Sequence, residues 1–188
     1  MDHVRKAMSE FNFTSKYARY VEGLGRRETW EEACDRLLKM HMTRYADAGQ
    51  EAREALHAAS VAERSQRVLS SQRARQFGGE PILAKNWRIY NCVTSYCDRA
   101  EFFAEAFWLL LCGCGVGFSI QTHHIAKLPP PLPLDMWAEL HEEVYVVPDT
   151  IEGWADSVRE LISSRLGMRG SRPRFDFSKI RERGAPLS

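Results

Sequence analysis

The 188-residue chain is 44% hydrophobic and 27% charged, the balance of a globular protein long enough to bury a core without disulfide or metal staples. Its 26 basic and 25 acidic residues leave a net charge of +1, so no global field gathers nucleic acid or an anionic membrane. Five cysteines, an odd number, and a polar, charged opening over residues 1–10 point away from a secretory signal and toward reduced thiols in the cytoplasm. The longest nearly uncharged apolar run, residues 106–118, is too short to span a bilayer, and a soluble chain is expected.

From Thr29 the chain carries a helix start: Thr29 and Glu32 have the spacing of a capping box. Trp30, Ala33, Leu37, Met40 and Arg44 follow at helical spacing, with Gly49 as the stop. A second helix is expected over residues 50–69. Gly78-Gly79 and Pro81 then break the periodicity and set the expected boundary between a helical region, 1–77, and an α/β region, 78–188. Residues 87–96, rich in β-branched and aromatic types, read as a strand. Asp98 and Glu101 repeat the capping pattern ahead of a very apolar helix, expected to be buried and closed by Gly113. Residues 116–125 complete a strand, helix, strand order with a parallel pair. The prolines at 129, 130, 131 and 133 exclude a sheet interior. A short strand at 144–147 precedes an amphipathic helix capped by Asp149 and Glu152, with Ile151, Trp154, Val158, Leu161 and Ile162 on one face. Alternation over 174–180 marks a half-buried strand. The last residues, Gly184 to Ser188, follow that strand with no helix to cover it, and two or three strands with an open face are marginal alone; half of a larger architecture is expected.

Chemistry-bearing residues are few. Cys92 lies in a strand after Asn91, where a thiol is either a small buried hydrophobe or a redox group. The glycine string 113–119 runs from helix to strand, the wrong polarity for a dinucleotide turn, which needs its glycines before a helix N-terminus. Here glycines serve either a helix C-cap with a packed turn or close approach of backbone to another backbone or to a ligand such as a sugar. Cys112, Cys114, His123 and His124 make poor tetrahedral geometry, so no metal is expected.

Six strings then occur in order: Arg26-Arg27-Glu28-Thr29-Trp30; Ser70-Ser71-Gln72-Arg73 followed by Gly78-Gly79; Tyr90-Asn91-Cys92; Leu110 through Ser119; Pro148-Asp149-Thr150-Ile151-Glu152-Gly153-Trp154; and Asp176-Phe177-Ser178-Lys179-Ile180-Arg181. Together they resemble the N-terminal part of adenosylcobalamin-dependent (class II) ribonucleotide reductases, nearest the monomeric ribonucleoside-triphosphate branch. The resemblance implies an α/β fold in which the helical N-terminal part leads into the opening strands of a ten-stranded barrel, incomplete here.

It further implies reduction of ribonucleotides to 2′-deoxyribonucleotides by thiyl-radical chemistry, with Cys92 as one of two thiols that become a disulfide. Substrate contacts would fall on Ser71, Asn91, Cys92 and Gly115. Deoxynucleotide effector contacts would fall on Asp149, Thr150 and Arg181, for which a helix cap and a solvated strand end are the plain alternatives. Ser70 and Gln72 stand where the family often has proline and methionine. The family's radical cysteine, second disulfide cysteine and C-terminal cysteine pair have no counterpart in these residues. The expectation is therefore one component of a split enzyme. It would need a complementary C-terminal chain, adenosylcobalamin held mainly by that chain, and a thioredoxin-like reductant, with no nucleic-acid or membrane partner. The rival expectation is a catalytically inactive nucleotide-binding or assembly module of the same origin.

Overall fold

A computed structural model describes residues 3–185; Pro186, Leu187 and Ser188 at the end of the expected open terminus lie outside the described residues. The chain divides into two compact units, 1–90 and 91–188.

The first unit opens with α1 (His3–Lys16), which the polar start did not announce. A two-residue antiparallel ladder, β1 (Tyr20–Val21) and β2 (Arg26–Arg27), turns the chain into α2 (Trp30–Arg44). The capping box at the start of α2 is formed: Glu32 N donates to Thr29 Oγ1 at 3.3 Å and Thr29 N to Glu32 Oε2 at 2.7 Å. Arg26 also donates to both Glu32 oxygens, and these bonds, with that from the Thr29 amide, hold the Glu32 carboxyl down at about 2. Helix α2 ends at Tyr45, not Gly49; Gly49, at φ +85°, instead opens α3 (Gly49–Arg64).

Two short helices follow, α4 (Gln72–Phe77) and α5 (Glu80–Ala84), then a 3-10 turn at Asn86–Ile89. The core of this unit is Leu37, Met40, Ala74 and Ile82, with Phe77, Leu83 and Ile89 packed around it. Because Ile82 and Ile89 belong to that core, the unit closes after Tyr90 rather than at Gly78-Gly79. The Gly78 turn is a fixed joint. A Cβ there would sit 2.3 Å from Ala74 O and 2.4 Å from Leu37 Cδ2, while Arg36 donates to the carbonyls of Gly78 and Arg75, each at 2.9 Å, and pairs with buried Glu28.

The second unit is built from two strand, helix, strand crossovers. The first runs β3 (Cys92–Tyr96), α6 (Glu101–Leu111), β4 (Gly115–Ser119), with β3 and β4 parallel. Helix α6 starts at an Ala100 cap without a side-chain bond, since Asp98 is drawn into ion pairs with Arg99 and Lys127. Only Phe102 and Ala104 of α6 are buried, and Leu110 and Leu111 are exposed; the apolar helix is covered on one face only.

A short helix α7 (Thr122–Ile125) takes residues expected in the strand, and α8 (Leu134–Ala138) follows the prolines. The second crossover is β5 (His141–Val146), α9 (Ile151–Arg165), β6 (Ser171–Asp176), again parallel. Helices α6 and α9 pack together. Ser164, fully buried, links the layers: Trp137 Nε1 donates to Ser164 Oγ at 2.8 Å, and Ser164 Oγ donates to the Ser171 carbonyl at 2.7 Å. No closed barrel forms among the described residues; the two parallel pairs remain separate two-stranded sheets.

Candidate functional site

Cys92 is the first residue of β3, directly opposite Gly115 in the parallel register. Cys92, Thr94 and Tyr96 share the exposed face of β3, while Val93 and Ser95 turn inward, as the two-residue period of a strand requires. Cys92 itself is exposed, whereas Cys34, Cys97 and Cys114 are buried. Burial pushes the Cys34 and Cys97 thiols up, which disfavours their reactive thiolate form.

The glycines of β4 shape the space beside that sulfur. A Cβ at Gly115 would lie 3.8 Å from Cys92 Sγ and 3.7 Å from Asn91 O, and one at Gly117 would lie 3.6 Å from Thr94 Cγ2. No side chain of Gly115 or Gly117 therefore stands beside Cys92 and Thr94 on that face. The Asn91 carbonyl accepts from Gly115 N at 2.8 Å, so Asn91, Cys92 and Gly115 form one cluster. Gly113, at φ +86°, closes α6 in a Schellman motif, with Gly113 N bonding Leu110 O and Cys114 N bonding Leu109 O, both at 2.9 Å; Gly115 lies in the ladder opposite Cys92. Thr94 and Gly117 were missed as members of this face, although strand alternation from Cys92 points to them.

Ser71 lies in the first unit as the N-cap of α4, accepting from Ala74 N at 3.1 Å. Its acceptor is committed to the helix and its hydroxyl proton remains a donor.

The effector candidates come together in the second unit. Arg181 Nε donates to Asp149 Oδ2 at 2.6 Å and the Arg181 amide to the same oxygen at 3.3 Å. This contact with Arg181 holds the Asp149 carboxyl below the usual carboxylate range. Thr150, not Asp149 with Glu152, caps α9, accepting from Gly153 N at 2.9 Å. The turn is tight: a Cβ on Gly153 would meet Pro148 O at 2.5 Å. Asp149 and Arg181 thus join the start of α9 to the segment after β6.

Among the described residues no three His, Cys, Asp or Glu side chains gather as metal ligands, and no helix is long and apolar enough to cross a membrane.

The parallel crossovers and the thiol beside the β4 glycines define the class of fold. The chain superposes on a crystal structure of a B12-dependent (class II) ribonucleotide reductase with a TM-score of 0.76 and 21% identity, covering 94% of this chain and 33% of that one. A probable adenosylcobalamin-dependent ribonucleoside-triphosphate reductase from Dictyostelium discoideum is 41% identical over 44 residues, 23% of this chain and 6% of that protein. The chain therefore has the fold of part of a class II reductase and resembles these B12-dependent enzymes, while spanning a third or less of their lengths. No family model matches it.

Proposed function

We propose that this chain supplies part of the catalytic body of a B12-dependent ribonucleotide reductase, with Cys92 as one of its two reducing thiols. The supporting observation is the exposed Cys92 on a parallel ladder, directly beside Gly115, which sets no side chain against its sulfur. In the reduction, Cys92 and a second cysteine outside these 188 residues give up two electrons and two protons. The ribose C2′–O bond breaks and a C2′–H bond forms, the oxygen leaves as water, and the two sulfurs join as a disulfide. A dithiol of the thioredoxin kind then reopens that disulfide by exchange.

Asn91 and Gly115 flank the thiol, and Ser71 offers a hydroxyl donor to the substrate. Asp149, Thr150 and Arg181 form the proposed effector contact, in which a nucleotide phosphate competes with Asp149 for Arg181. The two parallel pairs are proposed as staves of a larger ten-stranded barrel completed by polypeptide beyond these residues, whether on the same chain or another. Adenosylcobalamin would supply radical initiation to the whole enzyme. Clefts of about 550 Å³ in the first unit and about 430 Å³ in the second lie within the range of drug-sized ligands, roughly 300–1,000 Å³. A corrin with its nucleotide tail is larger than that class. The residues here do not fit it, and none of this chain's steps passes through it.

The test combines the full chain with the remaining reductase portion, adenosylcobalamin, a ribonucleoside triphosphate and a dithiol, and measures deoxynucleotide. Turnover that falls to background in Cys92→Ser, with folding intact by circular dichroism, supports the assignment. Wild-type turnover in that variant overturns it, and nucleotide binding without any turnover assigns the chain to the inactive binding module instead.

A further inference from the structure

The first unit carries a cleft that the reductase reading leaves unused. About 420 Å³ in volume, it lies between the last turn of α2 and the run from α5 into the 3-10 turn at Asn86–Ile89. Its floor is the core itself: Met40 and Ile82 belong to the buried cluster, and Leu83 and Ile89 pack against it. An apolar floor of this kind favours transfer of a hydrocarbon group out of water, and the volume is that of a small-ligand site, roughly 300–1,000 Å³.

The rim sets the charge of what would enter. Arg44, exposed on the last turn of α2, is part of the lining, with its guanidinium 5.9 Å from the Tyr45 ring centroid. Among the described residues it makes no hydrogen bond or ion pair, so its N–H donors are open to a ligand. The Tyr45 ring is in turn stacked with that of His41, at 6.3 Å and 14° from parallel, which orders this edge. Asn86 brings a side-chain amide from the other element, and among the described residues no Asp or Glu lines the cleft. The negative pole of α2 ends here, but it amounts to about half a charge against the full charge of Arg44, and the His41 carbonyl is already taken by Tyr45 N at 2.9 Å.

We infer that this cleft binds a small amphiphilic carboxylate, with its hydrocarbon part over Met40, Ile82, Leu83 and Ile89 and its carboxylate at Arg44, whose planar guanidinium matches a carboxylate in two parallel bonds. The inference is independent of the reductase assignment, because every residue in it belongs to the first unit and it involves neither Cys92 nor nucleotide turnover.

The full chain is titrated with octanoate, octanol, octylamine and acetate, below the concentrations at which they self-associate, following the methyl resonances of Met40, Ile82 and Ile89. Saturable shifts with octanoate, at an affinity about tenfold or more above those of the other three and without an equal shift at the exposed Val144 of the second unit, support the site. Arg44→Gln changes an exposed side chain and keeps the fold; it should weaken octanoate about tenfold, the worth of one hydrogen bond to a charged group, and leave octanol unchanged. A flat titration, the result expected if the cleft instead seats an apolar side chain of the remaining reductase polypeptide, overturns the inference. Equal affinity for octanoate and octylamine, an equal shift at Val144, or unchanged octanoate affinity in folded Arg44→Gln overturns it as well.

Discussion

At the residue scale the chemistry turns on which sulfur is reachable. Cys92 faces outward because it begins β3 on the face shared with Thr94 and Tyr96, whereas Cys34, Cys97 and Cys114 are enclosed. Limited alkylation with iodoacetamide, read by peptide mass spectrometry, is therefore expected to label Cys92 well ahead of those three; equal labelling of Cys34 or Cys97 would contradict the arrangement. Gly115→Ala places a methyl in ordinary contact with Cys92 Sγ, so the fold should hold while bulky reagents reach the thiol more slowly than in the wild type. The exposed thiol was one of two possibilities legible in the string Tyr90-Asn91-Cys92. Alternation says that Cys92 and Val93 face opposite ways, but not which way is out; that is decided by where α6 packs.

At the scale of elements, the start of α9 is the most constrained joint. Gly153→Ala should destabilise the protein by about 1–3 kcal/mol, the range for forcing an extra methyl into packed surroundings, since its Cβ collides with Pro148 backbone; a thermal midpoint unchanged from wild type would refute this. Asp149 contributes in a pH-dependent way. Its carboxyl is held below its ordinary value by Arg181, so the stabilisation is fully present above the unfolded value of about 4 and is lost as pH falls through the lower folded value. Asp149→Asn should therefore narrow the loss of thermal stability between neutral and strongly acid pH, and an unaltered acid profile would count against the Asp149–Arg181 contact. The Thr29–Glu32 box and the apolar face of α9 were readable because caps and helical periodicity are local. The Asp98–Glu101 pattern failed because Asp98 found Arg99 and Lys127 instead, and a cap residue with two cations in reach is drawn off the helix end.

At the scale of the molecule, two compact units each close their own contacts, and the first depends on buried charge. Glu63 and Arg75 have side chains 11% and 6% exposed, and removing one partner of such a pair typically costs about 3–5 kcal/mol because the other charge is left uncompensated. Glu63→Gln is expected to cost near the lower end of that range, about 3 kcal/mol, and to raise amide hydrogen exchange across α2 to α4. Wild-type exchange there would show that the pair contributes little. None of these buried pairs was foreseen: Glu28 with Arg36 and Glu63 with Arg75 are 8 and 12 residues apart and meet only after α2, α3 and α4 have packed.

The sequence by itself determined the helices α2 and α3, the parallel crossover around β3 and β4, the capped start of α2, the amphipathic α9 and the likeness to B12-dependent reductases. All of these rest on spacing within a few residues or on strings read in order. Tertiary structure alone decided that α1 forms and packs Phe13 on Trp30, and that polar His141, Glu142 and Glu143 become strand by pairing with Ser171, Arg172 and Pro173. It also decided that Asp149 meets Arg181 and that Cys92 faces outward. Each of these depends on a partner distant in the chain, whose position no local propensity specifies, because strand register and the covering of a face are settled by packing once the elements have met.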